Sequence, residues 1–155
     1  MTGRSKEIAD LMERRKVKVL CIQETKWKGS KARKIGDGYK LYYSGLSNNR
    51  NVVGIILHPS LTYGVISVER SSDRVMEIRM EVNGVIIHVI SAYAPQVGCN
   101  EDEKEAFWQE LDELMRKIPD KERVYIGADM NGHVGKGNVG DERTMGKHGL
   151  GNRNE

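Results

Sequence analysis

The sequence predicts an α/β (α+β) domain in which helices cover a largely antiparallel or mixed sheet. Three observations carry that prediction. Two amphipathic stretches, about Ser5–Arg15 and about Glu101–Lys117, bracket a run of short β-rich segments. Asn83-Gly84 separates two apolar runs, and both residues tolerate the positive φ of a type I′ hairpin turn. The composition, 38% hydrophobic and 30% charged over 155 residues, suits one globular domain or part of one and argues against wholesale disorder.

Ile8, Leu11 and Met12 recur at helical spacing. Arg14, Arg15 and Lys16 gather at the end of that helix, where cations complement its dipole. Val17–Ile22 is a short apolar run of the buried-strand type. After the Gly36-Asp37-Gly38 turn, strands are predicted at Tyr39–Tyr43, Val52–Leu57, Gly64–Glu69 and Val75–Val82. The last alternates apolar and charged residues over part of its length, as a half-exposed strand does. The Asn83-Gly84 hairpin leads into Val85–Tyr93.

Asn100 caps the second helix, with Glu103 at the third helical position as in a capping box. Phe107, Leu111, Leu114, Met115 and Ile118 line one face, a stripe that reads as core. Pro119-Asp120 ends the helix, and Arg123–Ala128 is one more strand. Residues 129–155 read as a Gly-rich loop, with Gly132, Gly135, Gly137, Gly140, Gly146, Gly149 and Gly151 and few apolar residues. The chain stops within that loop, which predicts a truncated domain over residues 1–155. No internal repeat is visible.

A net charge of +3 predicts no nucleic-acid binding by itself, so such binding must rest on local patches. The start, Met1 to Lys6, has no apolar core of a signal peptide. The longest uncharged stretch, Val52–Val68, is broken by Gly54, His58, Pro59 and Gly64, so no membrane span and no membrane partner are expected. Cys21 lies in an apolar run and reads as core; Cys99 reads as a free loop thiol. An intracellular protein, nuclear or cytoplasmic and not secreted, is the expectation.

Three polar clusters follow apolar strands, where a rigid scaffold can position reactive groups. Gln23-Glu24-Thr25 offers a carboxylate, a hard oxygen ligand for Mg²⁺, although alone Glu24 reads as the start of a solvated loop. Ser91-Ala92-Tyr93-Ala94-Pro95 ends a strand with a phenol that can donate to a phosphate oxygen or simply cover the core. Gly127-Ala128-Asp129-Met130-Asn131-Gly132 offers a base for an attacking water and a nearby amide, or an ordinary Asp-x-Asn turn.

Taken in this order, Gln23-Glu24-Thr25, Tyr93-Ala94-Pro95 and Asp129-Met130-Asn131 resemble the endonuclease/exonuclease/phosphatase superfamily across essentially the whole chain. The surrounding segments look most like the apurinic-type endonuclease domain of non-LTR retrotransposons and the related craniofacial development protein 2-like sequences. The resemblance implies a four-layered α/β/β/α sandwich, here partial. It also implies Mg²⁺-dependent hydrolysis of DNA phosphodiesters, with Mn²⁺ as a possible substitute. Glu24 would bind the metal and Tyr93 would lie beside the scissile phosphate. Asp129 would orient or deprotonate water, and Asn131 would hold the phosphate and help fix the aspartate. A reverse transcriptase domain is expected in the same parent polypeptide.

The sequence departs from the pattern in three places. Ala128 stands where the family has Gly before its aspartate. The family's upstream Asn and its terminal Ser-Asp-His have no counterpart here. These departures predict weak metal binding and little activity from these residues alone. The alternative is a non-catalytic, decayed or domesticated remnant that at most binds nucleic acid. Phosphoinositide or sphingomyelin phosphodiesterase activity is a lesser option within the superfamily. The Asp-x-His and Gly-Asn-His motifs of calcineurin-like metallophosphatases do not occur.

The segment Lys26–Lys34 is the densest basic stretch and reads as a loop directly after Glu24. Lys26, Lys28 and Lys31 can meet phosphates and Trp27 can stack on a base, though a solvated loop is equally expected. Arg50, in Asn48-Asn49-Arg50-Asn51, is a second candidate DNA contact. Among the histidines, His88 lies within an apolar strand and reads as packed, His58 sits at a strand end, and His133 and His148 read as loop residues.

Overall fold

The computed structural model describes residues 4–25, 29–45, 52–132, 135–137, 139–140, 143, 146–149 and 151. The elements run α1 (Arg4–Arg14), β1 (Val19–Ile22), β2 (Lys31–Ile35), β3 (Tyr39–Ser44), β4 (Val53–Leu57) and α2 (Pro59–Thr62). Then come β5 (Val65–Arg70), β6 (Val75–Val82), β7 (Val85–Tyr93), α3 (Glu101–Arg116) and β8 (Arg123–Asp129). Among the described residues after Asp129, none lies in a helix or strand.

Two four-stranded sheets form, ordered β1-β4-β3-β2 and β5-β6-β7-β8. The first is antiparallel throughout. The second is antiparallel except for β7 and β8, which run parallel and are joined through α3. Period-2 alternation then sorts the side chains. Tyr42, Val53, Ile55 and Leu57 of one sheet pack against Met76, Ile78, Met80, Val89 and Tyr93 of the other. Ala9 and Met12 of α1 cover the outer face of the first sheet at Tyr39, Leu41, Tyr43 and Ile56. Phe107, Leu111 and Leu114 of α3 cover the outer face of the second at Val75, Ile90 and Ala92. The result is α/β/β/α layering, with each fully buried Ile, Leu, Phe or Met side chain contributing about 1.5–3 kcal/mol.

The local signals act as read. Asn83 and Gly84 have φ of 52° and 79°, and the hairpin joins β6 to β7. The Asn100 side chain accepts from the Glu103 backbone N–H at 2.8 Å. The basic segment is a correction. Lys31–Ile35 is a strand, so Lys31 lies at the start of β2 rather than in a loop. Its partner β3 supplies the ladder from one side only, and an edge strand tolerates charges that a central strand would not. Ile35 alone in β2 is buried, which hid the strand from hydropathy. The short helix α2 was also not expected; His58 caps it by accepting from the Ser60 N–H at 3.1 Å. Lys26, Trp27, Lys28, Arg50 and His133 lie outside the described residues.

Candidate active site

The parallel register of β7 and β8 places Tyr93 opposite Asp129, each the last residue of its strand. Pro95 ends β7, since proline cannot extend a ladder. Ala94 still donates its N–H to the Asp129 carbonyl at 2.9 Å, so the two chain ends stay fastened past the strands.

Tyr93 points into the space between the sheets and is 2% exposed. Its hydroxyl donates to Glu24 Oε1 and accepts from Gln96 Nε2 at 3.4 Å. The Arg74 guanidinium sits 5.7 Å above the Tyr93 ring and donates to the Tyr93 carbonyl at 3.2 Å. The Tyr93 N–H returns a bond to the Arg74 carbonyl at 2.9 Å. The ring therefore has its position fixed on both backbone and face.

Glu24 follows β1, is exposed, and has φ of 54°. A left-handed backbone costs a non-glycine residue about 1–3 kcal/mol. Its neighbours hold it there. Gln23 Nε2 donates to the Gly127 carbonyl at 3.1 Å and to Ser91 Oγ at 3.4 Å, which ties β1 to both β7 and β8. Thr25 is buried and donates both N–H and Oγ1–H to the Val52 carbonyl, at 3.0 and 3.3 Å. Gly127 permits the approach: a Cβ there would lie 2.6 Å from Cys21 Sγ. Burial pushes the Cys21 thiol up to about 11, so it is an inert spacer and not a nucleophile.

Asn131 has φ of 49°, a conformation asparagine tolerates better than most residues. Its N–H donates to Asp129 Oδ1 at 2.9 Å, and its carboxamide Nδ2 donates to the Ala94 carbonyl at 2.6 Å. Asp129 is exposed. The structure thus brings Glu24, Tyr93, Asp129 and Asn131 to one end of the sandwich. Lys31, exposed on β2, lies on the opposite edge strand of the first sheet from β1, the strand that leads into Glu24. The sequence did not single out Arg74 or Gln96. Gln96, three residues past Tyr93, had a positional cue; Arg74 reaches Tyr93 through strand pairing, which leaves no local cue.

Among the described residues, no three His, Cys, Asp or Glu side chains converge on a common metal position. Glu24 is an exposed hard-oxygen donor, a donor type that fits Mg²⁺, which is held through one or two carboxylates and keeps several waters.

No family model matches the chain. Craniofacial development protein 2 from Bos taurus is 29% identical over 153 residues, covering 99% of this chain and 26% of that protein. Its counterpart from Tragulus javanicus is 28% identical over the same length and share. The chain therefore spans about a quarter of the curated relatives it matches. Among solved structures, TDP2 from Caenorhabditis elegans superposes with a TM-score of 0.59 at 16% identity, over 83% of this chain and 42% of that one. The endonuclease domain of TRAS1, a telomere-specific non-LTR retrotransposon, gives 0.55 at 18% identity, over 82% and 52%. An endonuclease/exonuclease/phosphatase family protein from Leptotrichia buccalis gives 0.56 at 13% identity, over 92% and 66%. The chain has the endonuclease/exonuclease/phosphatase fold, as the resemblance in its motifs implied.

Proposed function

We propose that this chain carries part of a Mg²⁺-dependent active site that hydrolyses phosphodiester bonds in DNA. The observation that carries the proposal is the convergence of Tyr93, Glu24 and Asp129 at one strand end, with Glu24 held in a left-handed backbone. Strained backbone at a cluster of polar side chains is a common mark of a functional site.

In this reading Glu24 holds the ion, which when bound stabilises charge on the phosphate and leaving oxygen. Tyr93 donates its hydroxyl proton toward the phosphate once Glu24 Oε1 is engaged elsewhere. Asp129 accepts a proton from the attacking water. Asn131 fixes Asp129 through its backbone N–H; its carboxamide has two N–H groups, of which one goes to Ala94 and the other suits a phosphate oxygen. Lys26, Trp27, Lys28, Lys31 and Arg50 are the proposed DNA contacts. The retrotransposon endonuclease domain among the structural neighbours supports DNA as substrate, and a reverse transcriptase domain in the parent polypeptide is part of the proposal. No helix among the described residues is long and apolar enough to cross a membrane, and an intracellular location, nuclear or cytoplasmic, is part of the proposal.

Nicking of supercoiled plasmid in Mg²⁺, by the chain and by its Asp129→Ala variant, tests this. Mg²⁺-dependent nicking that the substitution abolishes supports it. Equal nicking by both proteins refutes the role of Asp129. Salt-dependent DNA binding without nicking favours the non-catalytic remnant, and neither nicking nor binding sinks both readings.

A further inference from the structure

Beside the Asp129–Asn131 turn lies a recess of about 740 Å³, lined chiefly by Val97, Lys104, Trp108, Met130 and Asn131. That is within the range of small-ligand sites, about 300–1,000 Å³. We propose that it receives a nucleobase next to the scissile phosphate, stacked on Trp108. The proposal rests on the nuclease reading above and names a part of the substrate that reading leaves undefined.

Trp108 is 55% exposed although it sits in a helix whose neighbouring positions make the core. Phe107, Leu111 and Leu114 face the sheet, and one residue further round the helix the side chain points away from that stripe. Packing against the sheet therefore gives no reason for an indole here. Phe107 holds the Trp108 ring edge-on, with centroids 5.2 Å apart and planes at 70°. Val97 and Met130 complete the recess at 60% and 42% exposure. Three large apolar side chains thus lie open around one concavity.

The position of the recess ties it to the site. Asn131 lines it, and the same residue donates to Asp129 and to the Ala94 carbonyl. A ligand in the recess would touch the residue that orients the proposed base. Charge narrows the choice of occupant. Glu101, Asp102 and Glu103 fill the first turn of α3, and Lys104 is paired with Glu101 at 2.7 Å. That rim repels a phosphate, and the one lysine among the described residues that line the recess is already paired. A neutral aromatic base suits it, with its π-face on Trp108 and its polar edge toward the rim.

Binding is read by anisotropy in EDTA, where cleavage does not intrude. The whole chain is titrated with a short oligothymidylate and with a deoxyribose-phosphate oligomer of the same length that has no bases. Wild-type protein is expected to prefer the base-bearing strand by about five- to 150-fold, the range for one base on an aromatic side chain. Trp108→Ala erases the preference, Trp108→Phe keeps most of it, and neither changes the slope of affinity against salt, because stacking releases no counterions. Equal affinity of wild type and Trp108→Ala for oligothymidylate overturns the proposal, as does a loss that comes with a shallower salt slope. If an apolar peptide occupies the recess instead, wild type shows no preference for bases, which also overturns it. Failure of the nuclease reading is seen separately, as undiminished cleavage by Asp129→Ala.

Discussion

At the C-terminal end of β7, Tyr93 donates to the exposed carboxylate of Glu24 and stands opposite the exposed Asp129 in the strand register. Five residues back on the same strand, about 16 Å away and on the opposite face, His88 is 4% exposed and enclosed by carboxylates. Its Nδ1 meets Glu77 Oε1, and its Nε2 lies 2.5 Å from Glu122 Oε2. Arg79 then bonds both Glu122 oxygens, at 3.2 and 3.4 Å. Each ring nitrogen of His88 thus faces its own carboxylate. The same residue types are thus used in two ways. Where carboxylates are buried and mutually paired they hold the sheet, and where they stay exposed on a constrained backbone they are available to a ligand.

Separating the two regions by mutation sharpens this contrast. The largest effect is expected at the open end: Asp129→Ala lowers cleavage by about 10²–10⁴-fold while the denaturation midpoint stays within about 0.5 kcal/mol of wild type. A large stability loss in that variant would mean that Asp129 serves the fold. At the enclosed end the pattern reverses. His88→Ala leaves Glu77 buried and unpaired and costs about 3–5 kcal/mol in urea unfolding, with DNA affinity of the folded fraction unchanged.

Smaller effects test the joint between the sheets. Gly127→Ala pushes a methyl group against Cys21 and costs about 1–3 kcal/mol; unfolding at the wild-type midpoint would show that β1 and β8 can separate freely. Tyr93→Phe removes a hydroxyl whose partner is exposed, so stability changes by no more than about 1 kcal/mol even as cleavage falls. The smallest effect is in acid. The hydrogen bonds from His88 and Arg79 hold the Glu122 carboxyl below its usual value of 4.5. The stability it contributes is complete above that value and is lost as pH falls through the lower, folded one. Glu122→Gln should therefore flatten the stability profile below about pH 4.5, and an unchanged acid limb would remove Glu122 from the account.

Much of this fold was legible in the sequence because its signals are local. The Asn83-Gly84 turn, the Phe107-Leu111-Leu114 stripe and the Asn100 cap each act within a few residues. The order of Glu24, Tyr93, Asp129 and Asn131 was legible too, through resemblance, and the structure brings those four together. What stayed hidden depends on pairing. β2 reads as polar because only Ile35 is buried in it. The enclosure of His88 needs Glu77 from β6 and Glu122 from the turn before β8, and neither announces itself along the chain. Arg74 and the Trp108 recess are likewise products of register and crossover.

The bond between Gln23 and the Gly127 carbonyl joins residues 104 positions apart. During synthesis, the pairings of β1 to β4 are all available once Leu57 has left the ribosome. β8, the strand that fastens Glu24's neighbour, emerges after β1 to β7. Closing so long a loop is entropically costly and slow relative to hairpin formation. Until β8 is released, a nascent chain lacks the Gly127 carbonyl that fastens Gln23, and whatever chemistry the site performs waits on that strand.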